Sequence, residues 1–216
     1  MKVAAILPAY NEEDRIARVL EAVVGAKLVD EVIVVSDGST DSTAEIAEAM
    51  RGVRVIRLEK NVGKGGAMAE GVRATEADVI VFLDADLVGL RSQHVDDLVE
   101  PVLNGSDMCV GVFRKGKLWS DAAQAIVPLI SGQRALKRSL FDQIPWLDEV
   151  RMGVEVTLNQ FARKRKMRIR RVTLRGVSHT CKERKFGLVN GTKQRAKMYA
   201  EIGKAMVRTR KKMRLH

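Results

Sequence analysis

Two acidic residues, Asp84 and Asp86, directly follow an apolar run of the sequence, Val79-Ile80-Val81-Phe82-Leu83. Two carboxylates one residue apart, where a strand leaves a sheet, can direct oxygens at the same hard cation. Mg²⁺ or Mn²⁺ bound by one or two carboxylates plus diphosphate oxygens is the expected arrangement. Such a metal would neutralise charge on a departing nucleoside diphosphate. The spacing therefore favours a metal-dependent site, with a solvated turn as the alternative.

A third carboxylate, Asp37, follows the apolar run Glu31–Ser36. It could accept hydrogen bonds from a base or a ribose. The alternative is a helix-capping turn, which Thr40 or Asp41 alone would satisfy.

A glycine-rich segment, Gly63-Lys64-Gly65-Gly66, resembles a phosphate-binding loop only in part. A P-loop requires Ser or Thr after Gly-Lys, and Gly65 stands there instead. Lys64, at the entry of a helix, could still contact a base or a phosphate.

Short apolar runs alternate with helical patterns, which predicts a doubly wound, mostly parallel sheet with flanking helices. Ligands of such sheets bind at the carboxyl ends of the strands, where the polar clusters stand. The predicted strands are Val3–Leu7, Glu31–Ser36, Val53–Leu58, Asp78–Asp84, Met108–Phe113 and Met167–Leu174. The predicted helices are Asn11–Val24, Thr40–Met50, Gly65–Ala74, Ser120–Ile130, Met152–Lys164 and a basic C-terminal helix, Asn190–Leu215.

The charge of the 216-residue chain is unevenly distributed. Residues 1–108 carry 11 Lys/Arg against 20 Asp/Glu, and residues 109–216 carry 27 against 7. The basic half indicates an anionic partner: a phosphorylated acceptor, an anionic membrane surface or nucleic acid. Cys109 and Cys181 have no metal-ligand spacing, which is typical of free thiols in a reducing cytoplasm. We expect one cytoplasmic domain over residues 1–216, with possible peripheral contact at the inner face of the membrane.

Four motifs together resemble the donor-binding half of family 2 glycosyltransferases, which have the GT-A fold. They are Pro8-Ala9-Tyr10-Asn11-Glu12, Asp37-Gly38-Ser39-Thr40-Asp41, Asn61-Val62-Gly63-Lys64-Gly65-Gly66 and Asp84-Ala85-Asp86. The resemblance covers residues 1–115 and implies a nucleotide-sugar donor, UDP- or GDP-linked. It implies that Asp37 and Lys64 hold the base, that Asp84 contacts the ribose or sugar, and that Asp86 ligates the metal. The remaining nucleotide-lining residues that it implies are Pro8, Ala9, Tyr10, Glu12 and Ala85.

The acceptor half, residues 116–189, resembles the family more thinly. A small-residue loop, Ser131-Gly132-Gln133-Arg134, is similar to the acceptor loop of glucosyl-3-phosphoglycerate synthases. Glu155 stands at a helix start similar to that of polyprenyl-phosphate glycosyltransferases, as a general base or as a group that orients sugar hydroxyls. His179 resembles an additional metal ligand. The cations that follow could bind the donor diphosphate or an acceptor phosphate: Lys182, Arg184 and Lys185.

The resulting prediction is a metal-dependent hexosyltransferase that acts on a phosphorylated small molecule or a polyprenyl phosphate, with Asp84, Asp86 and Glu155 as its catalytic residues. Sugar nucleotidyltransfer is one alternative, but it requires a glycine-rich, arginine-containing loop where Pro8-Ala9-Tyr10 stands. Nucleic-acid binding is another, and the aromatic content of 4% argues against it. The basic helix of residues 190–216 would lie on an anionic membrane, or pack on the domain or on a second subunit in a homodimer.

Overall fold

The computed structural model describes residues 1–113, 131–150 and 153–179. Nine strands and six helices lie within these ranges. In chain order they are β1 Val3–Ala9, α1 Ile16–Val24, β2 Glu31–Ser36, α2 Thr43–Glu48, β3 Val53–Arg57, α3 Lys64–Arg73, β4 Val79–Phe82, β5 Leu87–Val88, α4 Ser92–Leu103, β6 Met108–Phe113, β7 Arg134–Lys137, α5 Arg138–Asp142, α6 Val154–Lys164, β8 Ile169–Leu174 and β9 Ser178–His179.

Seven of the strands form one sheet in the order β3-β2-β1-β4-β7-β6-β8. Strands β1 to β4 pair in parallel, β7 pairs antiparallel with both neighbours, and β6 and β8 are parallel. The mostly parallel sheet with flanking helices that the sequence predicts is therefore confirmed. Because β1, β2 and β4 run in one direction, their carboxyl ends meet at the same edge of the sheet.

Both faces of the central strands are covered, which explains why their sequences are continuously apolar rather than alternating. In β4, Ile80 and Phe82 pack in the cluster on one face, and Val79 and Val81 pack in the cluster on the other. All four side chains are at most 1% exposed. The strand that carries the acidic motif is thus held rigidly from both sides.

The first helix begins later than the sequence pattern predicts, at Ile16 rather than Asn11. Asn11 has a φ of 55°, in the left-handed region that a helix cannot continue through. Its side-chain oxygen accepts the N–H of Thr40 at 2.9 Å, and the N–H of Glu12 donates to the Thr43 hydroxyl at 2.8 Å. These bonds tie the loop after β1 to the loop after β2 and hold Asn11 and Glu12 outside the helix.

Five elements of the structure are absent from the sequence prediction: β5, α4, β7, α5 and β9. Strand β7 lies where the sequence predicts a loop, and its antiparallel pairing with β4 brings that segment against the end of β4. The predicted helices Ser120–Ile130 and Asn190–Leu215 lie outside the described residues. Within the described ranges, no helix combines the length and the apolar character needed to cross a bilayer.

Helix α3 lies close to β1 because Gly71 faces the strand. A Cβ at Gly71 would stand 2.4 Å from Cγ2 of Ile6 and 3.3 Å from Cγ2 of Val35. Both neighbours are β-branched residues of buried strands, so neither can move aside easily. The contact fixes the distance between helix and sheet about two helical turns after Lys64.

We expect Gly71→Ala to destabilise the protein by about 1–3 kcal/mol, because overpacking outweighs the gain of about 0.5–1 kcal/mol in helix propensity. Urea unfolding followed by circular dichroism measures the change. Glu70→Ala, on the outward side of the same helix, is the control and should change the free energy of unfolding by less than about 0.5 kcal/mol. A Gly71→Ala protein as stable as wild type would contradict the close packing of α3 on β1.

Candidate active site

The polar residues that follow β1, β2 and β4 lie at one edge of the sheet. The carbonyl of Ala9, at the end of β1, accepts the N–H of Asp37 at 2.8 Å, which joins the ends of β1 and β2. Asp84 and Asp86 follow β4, the other neighbour of β1. Pro8 is half-buried at this edge, and Tyr10 is exposed. The strand order therefore brings the three polar clusters of the sequence together.

Asp37 is buried and binds the loop that leads into α3. Its two carboxylate oxygens accept the N–H groups of Val62, at 2.7 Å, and Gly63, at 3.0 Å. Asn61 in turn donates its side-chain N–H to the carbonyl of Asp37 at 3.1 Å. Asp37 thus fixes the position from which Lys64 starts its helix, and contact with a nucleotide base remains a prediction for this residue.

Lys64 joins two carboxylates from distant parts of the chain. Its Nζ lies 2.6 Å from Oδ1 of Asp84 and 2.5 Å from Oε1 of Glu155. The side chains are 28%, 17% and 13% exposed, respectively. Three charges in a largely desolvated place require this mutual pairing, since an unpaired charge there would be costly.

Two glycines bring the starts of α3 and α6 together. A Cβ at Gly65 would stand 2.2 Å from the carbonyl oxygen of Val150 and 2.5 Å from that of Leu147. The α3 terminus therefore packs directly on the main chain that leads to α6. Gly153 is the N-cap of α6, with a φ of 87°, and Glu155 lies in the first turn. A carboxylate is favourable at a helix N-terminus, whereas the cation of Lys64 at the start of α3 opposes the helix dipole and depends on its acidic partners.

The electrostatics of this cluster favour the ionised forms. Burial acts to raise the pKa of Glu155, but the charges of Lys64 and Arg134 outweigh it and hold the pKa below its ordinary value. Burial likewise acts to lower the pKa of Lys64, and Asp84 and Glu155 outweigh it, so this pKa is raised. At neutral pH the lysine is therefore a cation and Glu155 is a carboxylate.

The loop before β7 surrounds the other side of Asp84. Gln133 donates its side-chain N–H to Oδ2 of Asp84 at 2.7 Å. Ser131 lies 3.0 Å from the Gln133 side-chain oxygen and 2.5 Å from the carbonyl oxygen of Gly111. At Gly132 a Cβ would stand 2.3 Å from the Asp84 carboxylate, so only glycine allows this approach. The loop that the sequence assigns to an acceptor thus also fixes the orientation of Asp84.

Arg134 is fully buried beneath the site. Its guanidinium donates to the carbonyl of Glu155 at 3.2 Å and to the carbonyl of Ser131. Burial lowers the pKa of Arg134 to about 10, with Glu155 and Asp84 opposing the shift, so the side chain remains charged at neutral pH. Arg134 thereby joins the loop before β7 to the start of α6, and its predicted contact with an acceptor remains a prediction.

The predicted metal ligands approach each other along the main chain. Asp86 is half-buried next to β5, and the pairing of β5 with β9 places His179 opposite Leu87. A carboxylate is a ligand that Mg²⁺ and Mn²⁺ both accept, and diphosphate oxygens and water usually complete their coordination. Among the described residues, no group of three His, Cys, Asp or Glu side chains could hold a metal by itself. The residues fit a site in which a bound diphosphate supplies further ligands.

Sequence reasoning missed how the site is connected. It identified Lys64, Asp84, Gln133 and Glu155 separately, but not their contacts, because Lys64 and Glu155 lie 91 positions apart. The glycine before Glu155 was the available signal, since it marks a helix start that can face a ligand. The predicted phosphate-binding cations Lys182, Arg184 and Lys185 lie outside the described residues.

The mostly parallel seven-stranded sheet with flanking helices is an α/β domain of the GT-A type. The chain belongs to glycosyl transferase family 2, since the model described as "Glycosyl transferase family 2" matches residues 4–182. The resemblance carried by the four motifs is therefore confirmed.

Two curated relatives match about half of the chain. A glucosyl-3-phosphoglycerate synthase from Mycolicibacterium paratuberculosis is 38% identical over 112 residues, 48% of this chain and 34% of the relative. A dolichol-phosphate mannosyltransferase from Pyrococcus furiosus is 36% identical over 120 residues, 51% of this chain and 33% of the relative. The chain thus aligns with about a third of the length of each.

Solved structures match over more of the chain. Glucosyl-3-phosphoglycerate synthase from Mycobacterium tuberculosis, in complex with Mn²⁺, UDP and glucosyl-3-phosphoglycerate, has a TM-score of 0.71 at 28% identity. The match covers 94% of this chain and 80% of that one. The same enzyme in complex with Mg²⁺ and UDP has a TM-score of 0.70 at 28% identity, covering 94% of this chain and 79% of that one.

We expect Lys64→Met to destabilise the protein by about 2–3 kcal/mol near neutral pH, less than the 3–5 kcal/mol of a fully buried pair because part of Lys64 is exposed. Without the cation, Asp84 and Glu155 share one site and one carboxyl pKa rises above its unfolded value. The penalty should therefore shrink as pH falls from about 7.5 to about 5.5. In wild type the pKa of Glu155 is lowered by its partners, so its ion pair contributes fully to the free energy of unfolding above the unfolded pKa of about 4.3. That contribution is lost only as pH falls below this value.

Chemical unfolding at both pH values tests this expectation. Lys60→Met, an exposed lysine four residues earlier, is the matched control and should change the free energy of unfolding by less than about 0.5 kcal/mol. A Lys64→Met penalty that is equal at both pH values would show that Lys64 does not hold the two carboxylates together.

Proposed function

We propose that this chain transfers a hexose from a UDP-linked sugar to an acceptor that carries a phosphate group, with the help of Mn²⁺ or Mg²⁺. The observation that carries the proposal is the likeness, over 94% of the chain, to an enzyme solved with Mn²⁺, UDP and a glucosylated phosphoglycerate. The dolichol-phosphate mannosyltransferase and the phosphoglycerate enzyme share an acceptor with a phosphate. The phosphate is the feature that the two acceptor classes, a small molecule and a polyprenyl phosphate, have in common.

The proposed donor site is the edge of the sheet where β1, β2 and β4 end. Ala9, Tyr10 and Glu12 would line the nucleotide, with Asp37 and Lys64 on the side of the base. Asp84 would face the ribose or the sugar, since Lys64 and Gln133 already fix its carboxylate at 2.6 and 2.7 Å. A preorganised hydrogen-bond acceptor of this kind orients the donor without reorganisation cost at the moment of reaction.

Asp86 and His179 would hold the metal, together with the donor diphosphate. When bound, the metal would stabilise the negative charge that develops on the leaving nucleoside diphosphate. The cations Lys182, Arg184 and Lys185 follow His179 directly in sequence, which would place positive charge beside the same diphosphate.

Glu155 is better suited to orient hydroxyl groups than to remove a proton. Lys64 and Arg134 hold its pKa below the ordinary value, so its affinity for a proton is reduced. An effective general base has a pKa near the working pH. An ionised carboxylate that already accepts from Lys64 can accept a further hydrogen bond from a sugar hydroxyl through its second oxygen.

Calorimetric titration with UDP and GDP, with and without Mn²⁺, tests the donor site. Wild type should bind UDP more tightly with Mn²⁺, and Asp86→Ala should lose at least about tenfold in that affinity because one carboxylate ligand is missing. Without metal, the two proteins should bind UDP equally weakly.

Glu76→Ala is the matched control for the loss of a carboxylate. Glu76 is 94% exposed and precedes β4, at the end of the strand remote from Asp86, so its removal should leave UDP affinity unchanged. Tighter binding of GDP than of UDP would correct the donor class. No binding of either nucleotide with any metal would contradict the proposed function.

If the His179 side chain ligates the metal, His179→Ala should lower the affinity for Mn²⁺ in the presence of UDP by about 10- to 100-fold. Manganese electron paramagnetic resonance in the presence of UDP measures the bound fraction directly. Ser178→Ala, the neighbouring residue in β9, is the control and should retain the wild-type metal affinity. Equal affinities in the two variants would remove His179 from the metal site and leave Asp86 as the proposed protein ligand.

A further inference from the structure

The edge of the sheet formed by β8 carries an unusual density of positive charge. Residues 163–175 contain eight lysines and arginines and no aspartate or glutamate. All eight side chains are exposed. We call this surface the basic rim; its members are Arg163, Lys164, Arg165, Lys166, Arg168, Arg170, Arg171 and Arg175.

The basic rim surrounds the edge rather than one face of the sheet. Among the strands that the structure describes, β8 lies at the edge of the sheet, and its partner is β6. Consecutive strand residues point to opposite faces, so Arg170 and Arg171 extend charge on both sides of the edge. The six residues of the strand span about 20 Å. Since β8 is parallel to β6 and leads through Arg175 to β9, the rim ends beside the segment that holds Asp86.

The opposite edge of the same sheet provides a comparison. On β3, Arg57 pairs with Glu45 and Glu48, both at 2.7 Å, and Arg54 lies 3.9 Å from Glu31. Those cations are neutralised within the protein. On β8, Arg168 lies 3.8 Å from Asp107, but Arg170, Arg171 and Arg175 form no ion pair within the described part of the chain. Charged side chains on an edge strand oppose pairing with another strand. The exposed charges of Arg170, Arg171 and Arg175 are in addition available to an external anion.

The distribution of the charge favours a surface over a compact ligand. A site for one phosphate has cations that converge, whereas these are spread along about 20 Å of strand and around a helix end. Sites for single-stranded nucleic acids combine a basic groove with aromatic side chains on which the bases stack. The aromatic residue nearest in sequence, Phe161, is buried, and Arg165 covers its ring with its guanidinium carbon 5.5 Å from the centroid. A second copy that docked through the same edge would bring two basic rims together and be repelled.

We propose that the basic rim binds an anionic lipid bilayer surface. Attraction to acidic headgroups adds with each lysine or arginine near the surface and acts within a Debye length of about 8 Å at physiological salt. The rim lacks exposed large apolar side chains, so the contact is electrostatic, peripheral and reversed by salt. Docking in this way places the edge that leads to β9 and Asp86 next to the bilayer. The inference holds for either class of acceptor.

Sedimentation with vesicles of phosphatidylcholine alone, or mixed with phosphatidylglycerol, tests the proposal on the full chain. Wild type should bind only the anionic vesicles and should be released at high salt. The triple variant R170Q/R171Q/R175Q should bind them at least tenfold more weakly. It retains Arg168, which pairs with Asp107, and Arg165, which covers Phe161.

The control R18Q/K27Q/R51Q removes the same number of charges from exposed positions outside the rim and should bind like wild type. Should the triple variant fail to fold, R163Q/K166Q at the end of α6 tests the same rim. Equal losses in rim and control variants, or unchanged binding of the rim variant, would overturn the proposal. So would wild-type binding to an RNA oligonucleotide that the rim variant loses while it still binds anionic vesicles.

Discussion

The ion pairs of Lys64 with Asp84 and Glu155 are the interaction on which the rest of the site depends. The three residues come from the start of α3, the end of β4 and the start of α6, so one ammonium group fixes the relative positions of three elements. Each of these charges would be costly in its desolvated place without the others. The backbone around them is built to permit the contact, since Gly65 and Gly132 each occupy a position where a Cβ would collide with the carbonyls of 147–150 or with the Asp84 carboxylate.

This charge arrangement also determines what a ligand must do. A hydroxyl or a phosphate that enters the site meets groups whose hydrogen bonds are already made, and it gains affinity by adding to them or by replacing Lys64. Asp84 presents a carboxylate fixed by two donors, one on each oxygen. Arg134, fully buried behind it, supplies a second positive charge that keeps Glu155 ionised. The site is therefore preorganised before the donor arrives, which lowers the entropy that binding must spend.

The fold and the location of the site could be predicted from the sequence because both depend on local patterns. Apolar runs such as Glu31–Ser36 predict buried parallel strands, and the residues that follow them must lie at the carboxyl edge. Helix α4 escaped this reasoning because its buried face includes His94 and Asp96, and it contains Pro101, so the apolar periodicity is diluted. The Asp96 carboxylate accepts the N–H groups of residues 27 and 28 at 3.2 and 2.9 Å, a partnership that sequence alone does not indicate. Contacts such as Lys64 with Glu155 could not be predicted either, since they depend on how distant helix starts pack.

Product analysis tests the central claim most directly. The full chain is incubated with Mn²⁺ and a panel of UDP-hexoses, with 3-phosphoglycerate or a short-chain polyprenyl phosphate as acceptor, and the products are identified by mass spectrometry. The account predicts that one acceptor gains a single hexose, that UDP is released in equal amount, and that removal of the metal by a chelator abolishes both. Sugar transfer to one acceptor and not the other would decide between the two acceptor classes. Two results would contradict it, each with UDP-hexoses left intact and both acceptors unmodified. In the first, the protein consumes a GDP-hexose instead; in the second, it binds no sugar nucleotide.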